Sequence, residues 1–157
     1  MNRMSKILSV SLVAIAGFAA AQTAMEPMAA HEARIAFMKQ MGAQMGVLGP
    51  MAAGEAPYDA AAAQAAADKL VELSATDIGG MWPEGSDSDT LAGSRALPAI
   101  WTDSAGVMTK WTALGTGATA MQAAAGVDLA SLQAAMAGLG GACGSCHESY
   151  RKPAEPT

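Results

Sequence analysis

Alanine supplies 38 of the 157 residues of this chain, and aromatic residues only 4%. Alanine is the strongest helix former, whereas sheets are built from β-branched and aromatic side chains, so an all-β fold is disfavoured. A chain of this length suits one domain. The larger apolar residues then divide the alanine-rich background into four helical stretches. The first runs from about Glu26 to Leu48, where Phe37, Met38, Met41, Met45 and Leu48 recur at steps of three and four. It should end near Gly49-Pro50, because proline cannot continue a helix and glycine commonly closes one. Gly42 and Gly46 lie inside it, where a missing side chain permits close approach of another helix. The second stretch follows Asp59, a good N-cap, and continues to about Ala75.

Residues 76–97 are rich in Gly, Ser, Asp and Pro. A loop of that length is usually functional or disordered. The third helix should begin around Pro98 to Ser104 and turn Val107, Met108, Trp111 and Leu114 inward, with Gly115 and Gly117 weakening its far end. The fourth starts after Asp128 and continues to about Lys152. Leu129, Leu132, Met136, Leu139, Cys143, Cys146 and Tyr150 give it one continuous face. Four helices with short connections, apart from one long loop, predict an all-α fold, an antiparallel four-helix bundle.

Residues 1–21 read as a signal peptide. Arg3 and Lys6 precede an apolar run over 7–20, and Ala19-Ala20-Ala21 supplies small residues for cleavage before Gln22. The run is shorter than the roughly 20 apolar residues of a spanning helix. Residues 22–157 are therefore expected to form one exported domain with no membrane span, periplasmic in a bacterium with two membranes. The net charge of −5 and the pI near 4.8 count against nucleic acid as a partner. Without Arg3 and Lys6, seven basic residues face fourteen acidic ones, which suggests a protein partner with a basic patch.

Cys143-Gly144-Ser145-Cys146-His147 carries the chemistry. C-x-x-C-H is the signature of covalent haem attachment. On a helix, positions i, i+3 and i+4 share a face. Two thiols so placed can reach the two vinyl groups of one porphyrin edge, and His147 can serve as the proximal iron ligand. Two other readings use the same residues. A haem-free C-x-x-C thiol oxidoreductase normally places its pair at a helix start after a strand, not near the end of a last helix. Zinc would require four ligands from Cys143, Cys146, His147 and His31, and the adjacent Cys146 and His147 suit a tetrahedron poorly. With ten residues after His147, the far face of the iron should be covered from upstream, with the porphyrin inserted between helices. No general base stands out beside a substrate pocket, so enzymatic chemistry beyond redox has no support.

Four segments, read in order, give the chain a resemblance. They are Arg34-Ile-Ala-Phe-Met38-Lys-Gln-Met-Gly42, Gly54-Glu-Ala-Pro-Tyr-Asp59, Pro98-Ala-Ile-Trp101 and Gly140-Gly-Ala-Cys143-Gly-Ser-Cys146-His147-Glu-Ser-Tyr-Arg151. Together they resemble the class II c-type cytochromes, cytochrome c′ and its low-spin relatives, over essentially all of residues 22–157. The resemblance implies a left-handed bundle, often a homodimer, with one haem c near the C-terminal helix. It implies that Cys143 and Cys146 hold the vinyls and His147 the iron. It further implies that Arg34 contacts a propionate, that Ser94 and Arg95 contact haem from the loop, and that Arg151 lies near the proximal imidazole.

Met38 falls where this family places its distal residue. A bound thioether there raises the reduction potential and suits electron transfer to a redox partner protein. An unbound side chain leaves a five-coordinate iron open to nitric oxide or carbon monoxide. The reading is an exported monohaem electron carrier, not an enzyme, with the gas-binding protein as its alternative.

Overall fold

The structure is a computed structural model that describes residues 25–154. The proposed signal peptide and its cleavage point lie outside the described residues. Two helices, α1 (Pro27–Ala53) and α2 (Ala60–Ser74), precede the long loop, which holds one 3₁₀ turn at Gly79–Met81. A single helical turn, α3 (Ala99–Thr102), leads into α4 (Ser104–Ala124), and α5 (Leu129–Tyr150) closes the chain. Among the described residues the only β pairing is an isolated bridge between Ala96 and Arg151. No described helix is long and apolar enough to cross a membrane.

Three aspartates start helices by accepting a backbone N–H that has no helical partner. Asp59 accepts from Ala62 at 3.0 Å, Asp103 from Gly106 at 3.0 Å and Asp128 from Ser131 at 2.7 Å. The expected cap at Asp59 is therefore present, and Asp128 caps the helix expected to start after it. Asp103 divides the expected third helix into α3 and α4.

The end of α1 differs from expectation. The helix passes through Gly49 and Pro50 and stops at Gly54, whose φ of 76° is open to glycine without strain. Proline removes one N–H and crowds the carbonyl of Gly46, but Gly46 is exposed, so that carbonyl can meet water. The Pro50 carbonyl accepts from Glu55 (2.8 Å) and Ala56 (3.1 Å). The extra turn buries Met51, which continues the stripe begun by Phe37, Met41 and Leu48.

The helices pack as a closed ring, α1 on α2, α2 on α4, α4 on α5 and α5 on α1. One half of the bundle is solid. Small residues (Ala63, Ala66, Ala67, Ala118, Ala125) interleave with Leu48, Met121, Leu132 and Leu139, all buried. In the other half, the first part of α1, the end of α2, the first part of α4 and the end of α5 surround a cavity. That combination of beginnings and ends is what antiparallel neighbours produce.

The close approach of helices occurs at Gly117, not at Gly42 or Gly46. A Cβ on Gly117 would lie 3.1 Å from Leu139 Cα, while one on Gly42 or Gly46 would meet nothing within 4 Å. Gly117→Val should lower stability by about 1–3 kcal/mol through overpacking against α5. Gly46→Ala should raise it by up to about 1 kcal/mol through helix propensity. Denaturant midpoints at constant slope check both, and an unchanged Gly117→Val midpoint would contradict the backbone contact.

Candidate functional site

The cavity encloses about 740 Å³, within the range of roughly 300–1,000 Å³ typical of cofactor pockets. Met38, Met41 and Met45 line it from α1, Leu70 from α2, Ile78 and Trp82 from the loop, and Val107, Trp111 and Leu114 from α4. Cys143, Cys146, His147 and Tyr150 form the α5 wall. All eight residues singled out from sequence border this one space: Arg34, Met38, Ser94, Arg95, Cys143, Cys146, His147 and Arg151.

Arg34 orders the long loop over the cavity. It is only 5% exposed. Its Nη1 donates to the Met81 carbonyl at 2.6 Å and to Ser86 Oγ at 2.8 Å, and its Nη2 donates to the Ser86 carbonyl at 2.7 Å. The guanidinium also lies over the Trp82 ring, 4.7 Å from its centroid, a cation–π stack. The Ser86 hydroxyl donates onward to the Pro83 carbonyl at 2.8 Å. Ser94, also buried, donates its hydroxyl to the Ser86 carbonyl at 2.8 Å. A hydroxyl has one proton to donate. Ser94 therefore fixes the loop here, and donating to a carboxylate would require it to leave Ser86.

Arg95 is held at the other end of the loop, with Nε donating to the Lys152 carbonyl at 2.8 Å and its own carbonyl accepting from the Lys152 N–H. Trp101 Nε1 donates to the Trp82 carbonyl at 3.0 Å, and the two rings meet edge to face with centroids 6.1 Å apart.

Two features of the wall call for an anionic occupant. The buried Arg34 guanidinium has uncharged hydrogen-bond partners and no salt bridge among the described residues. Burial pushes its pKa down, but arginine keeps its proton at any pH a protein meets. Beside it, Trp82 Nε1 is buried without an acceptor. A carboxylate in the cavity would answer both needs. The propionates of haem are such groups, its macrocycle suits the apolar lining, and a thiol pair with an imidazole stands on the same wall. The residues present fit the group.

The thiols are not activated as those of exchange catalysts are. Burial pushes both Cys143 and Cys146 above the usual thiol value, and Lys110 and Arg151 only partly oppose this at Cys146. A protonated thiol is a poor exchange nucleophile. Burial, aided by Arg151 and Arg95, pushes His147 below its usual value, which favours the neutral imidazole that metal ligation requires.

The family model described as Cytochrome C′ matches residues 17–151. The chain belongs to the cytochrome c′ family. A cytochrome c-554 of Cereibacter sphaeroides is 44% identical over 145 residues, 92% of this chain and 94% of that protein. A solved cytochrome c′ from Rhodobacter sphaeroides superposes with a TM-score of 0.81 at 36% identity, covering 83% of this chain and all of that one. A nitric oxide complex of a variant cytochrome c prime from Alcaligenes xylosoxidans superposes with a TM-score of 0.71 at 33% identity, covering 82% of this chain and 98% of that one. Proteins of the cytochrome c′ family carry covalently attached haem c, and the two cysteines of this chain fit that attachment. Nothing in the cavity or the relatives supports a haem-free thiol oxidoreductase.

Several lining residues escaped the sequence reading. Trp82 lies in a loop without periodicity, so nothing in the sequence marked its side chain as inward. Lys110 follows Val107 by three residues, so helical spacing alone could have found it, and His31, read from sequence only as a possible zinc ligand, lines the cavity three residues before Arg34. Tyr150 was recognised only as an apolar position. It is largely buried, and its hydroxyl donates to Asp103 Oδ2 at 2.6 Å, tying the end of α5 to the start of α4. The Asp103 carboxylate holds the Tyr150 phenol up to about 12, and Tyr150, with the Gly106 N–H, holds Asp103 below the usual carboxylate range.

An unperturbed phenol titrates near 10. The folded chain therefore binds this proton more tightly than the unfolded one. The stability it contributes is complete below about pH 10 and is lost as pH rises toward 12. Asp103 contributes with the opposite sign, losing its share as pH falls below the usual carboxylate range. Tyr150→Phe should lower the melting temperature at neutral pH and flatten the alkaline decline relative to the parent, as read by melts across pH 7–12. Parallel curves would contradict the bond.

Proposed function

We propose that this cytochrome c′-family protein is an exported, periplasmic, monohaem electron carrier, with residues 22–157 as its functional domain. Cys143 and Cys146 would hold the porphyrin as thioethers and His147 would ligate its iron. Arg34 and Trp82 face the propionates, with Arg95 and Ser94 holding the loop that carries Trp82. When bound, haem c supplies an iron that alternates between ferric and ferrous states. The chain itself orients that group, excludes bulk water with its methionine, leucine and tryptophan lining, and favours the neutral form of the His147 imidazole. None of these tasks needs an acid or base directed at a substrate, so the protein is a carrier and not an enzyme.

The observation that carries the reading is Met38. It borders the cavity one helical turn after Arg34, and its thioether can supply the sixth iron ligand that raises a potential for electron transfer. The gas-binding alternative is favoured by the apolar character of the same wall. With Met38 unbound, Met41, Met45, Leu70 and Ile78 would border an open iron face suited to a small neutral diatomic molecule. The nitric oxide complex of the Alcaligenes relative supports that alternative by analogy. A homodimer also belongs to the proposal. Met28 and Ile35 share a side of α1, seven residues apart, and are 51% and 41% exposed.

Absorption spectra of the ferric and dithionite-reduced protein, with and without carbon monoxide, test the reading. The parent should give sharp, split low-spin ferrous bands that ignore carbon monoxide. Met38→Leu should convert it to a high-spin form that binds the gas. A parent spectrum that is already high-spin, shifts with carbon monoxide and is unchanged by Met38→Leu would establish the alternative instead.

A further inference from the structure

Charge in this chain is distributed against its net sign. Residues 22–157 hold seven basic side chains against fourteen acidic ones, yet five of the seven border the cavity and, among the described residues, no Asp or Glu does. Arg34 is the buried one. The other four come from four separate elements: Lys39 from α1, Arg95 from the loop, Lys110 from α4 and Arg151 just past α5. Lys39, Arg95 and Arg151 are exposed and Lys110 is half-buried, so the charges lie where the cavity opens to solvent. Of the remaining two, Lys152 follows Arg151, and Lys69 is paired with Glu72 on α2 at 2.6 Å. Arg95 and Arg151 act electrostatically on His147, and Lys110 and Arg151 on Cys146. The rim therefore lies within electrostatic reach of the residues assigned to the haem. Two propionate carboxylates would leave this set of five cations with an excess of positive charge.

We propose that this rim is the docking surface for the carrier's redox partner, and that the partner is a protein presenting a carboxylate-rich patch. The proposal rests on the electron-carrier reading. It reverses the basic partner suggested by the net charge. At physiological salt, charges separated by more than about 8 Å are largely screened, so a docked surface senses the local rim more than the acidic remainder of the molecule. Local complementarity governs encounter rates and orientation. The rim also brings a partner to the cavity opening, the shortest approach to whatever the cavity holds.

Stopped-flow oxidation of the ferrous holoprotein by two small probes reads the sign of this surface directly. One is hexacyanoferrate(III), an anion, and the other tris(1,10-phenanthroline)cobalt(III), a cation. In each reaction one electron leaves the ferrous protein and reduces the probe to its iron(II) or cobalt(II) form, with no proton or bond exchanged. Raising the salt from about 10 mM to about 0.5 M should slow the anionic probe about tenfold and accelerate the cationic one. A Lys39→Glu, Lys110→Glu double variant with an unchanged absorption spectrum should reverse both slopes. At low salt, poly-L-glutamate should inhibit the hexacyanoferrate reaction and poly-L-lysine should not. A parent rate with hexacyanoferrate that is flat or rises with salt, or inhibition by poly-L-lysine alone, would overturn the proposal. The carbon monoxide spectra decide the carrier reading without reference to the rim, and the salt slope decides the rim without reference to Met38, so either can fail separately.

Discussion

A guanidinium buried to 5% exposure, with no carboxylate paired to it among the described residues, is the constraint around which the cavity is built. Removing such a charge from water costs several kcal/mol unless its surroundings compensate. In this chain the compensation comes from two carbonyls, one hydroxyl and the face of Trp82. Those partners lie 47 to 52 residues away in sequence, so satisfying Arg34 is the same event as folding the loop across the mouth of the bundle. Ser86 and Ser94 extend the network, and the Trp101 contact fixes the backbone beneath the stacked ring. The guanidinium without a counter-ion and the Trp82 N–H without an acceptor then give the finished wall a specific demand, for a carboxylate inside the cavity.

The two halves of the bundle serve different ends. Alanine permits tight interhelical packing in one half, with Gly117 allowing α4 to lie against the Leu139 backbone. That solid half fixes the spacing of the helices at the other end, where larger side chains line a space instead of filling it. Tyr150 and Asp103 lock the end of α5 to the start of α4, so the wall bearing Cys143, Cys146 and His147 is tied to the bundle one turn beyond the motif.

Much of this was legible in the sequence because it is local. Apolar spacing gave the four long helices, aspartates marked two of their starts, and the C-x-x-C-H stretch on the last helix pointed to the cofactor. The failures share one physical origin, dependence on contacts distant along the chain. Pro50 stays helical because burying Met51 extends the packed stripe and the exposed Gly46 carbonyl can be hydrated. Gly42 and Gly46 face open space, while Gly117, which seemed only a weak helix former, is where two backbones meet. Trp82 enters the site through the loop that Arg34 orders. The clustering of Lys39, Arg95, Lys110 and Arg151 around the cavity was not legible, because composition carries no information on where lysines and arginines collect.

The assignment of the cavity depends on covalent occupancy, and intact mass spectrometry measures that directly. Protein matured and exported in a host able to attach haem c should exceed the mass of residues 22–157 by one haem, and a Cys143→Ala, Cys146→Ala variant should show the polypeptide mass alone. A parent protein at the bare polypeptide mass after such maturation would contradict the assignment.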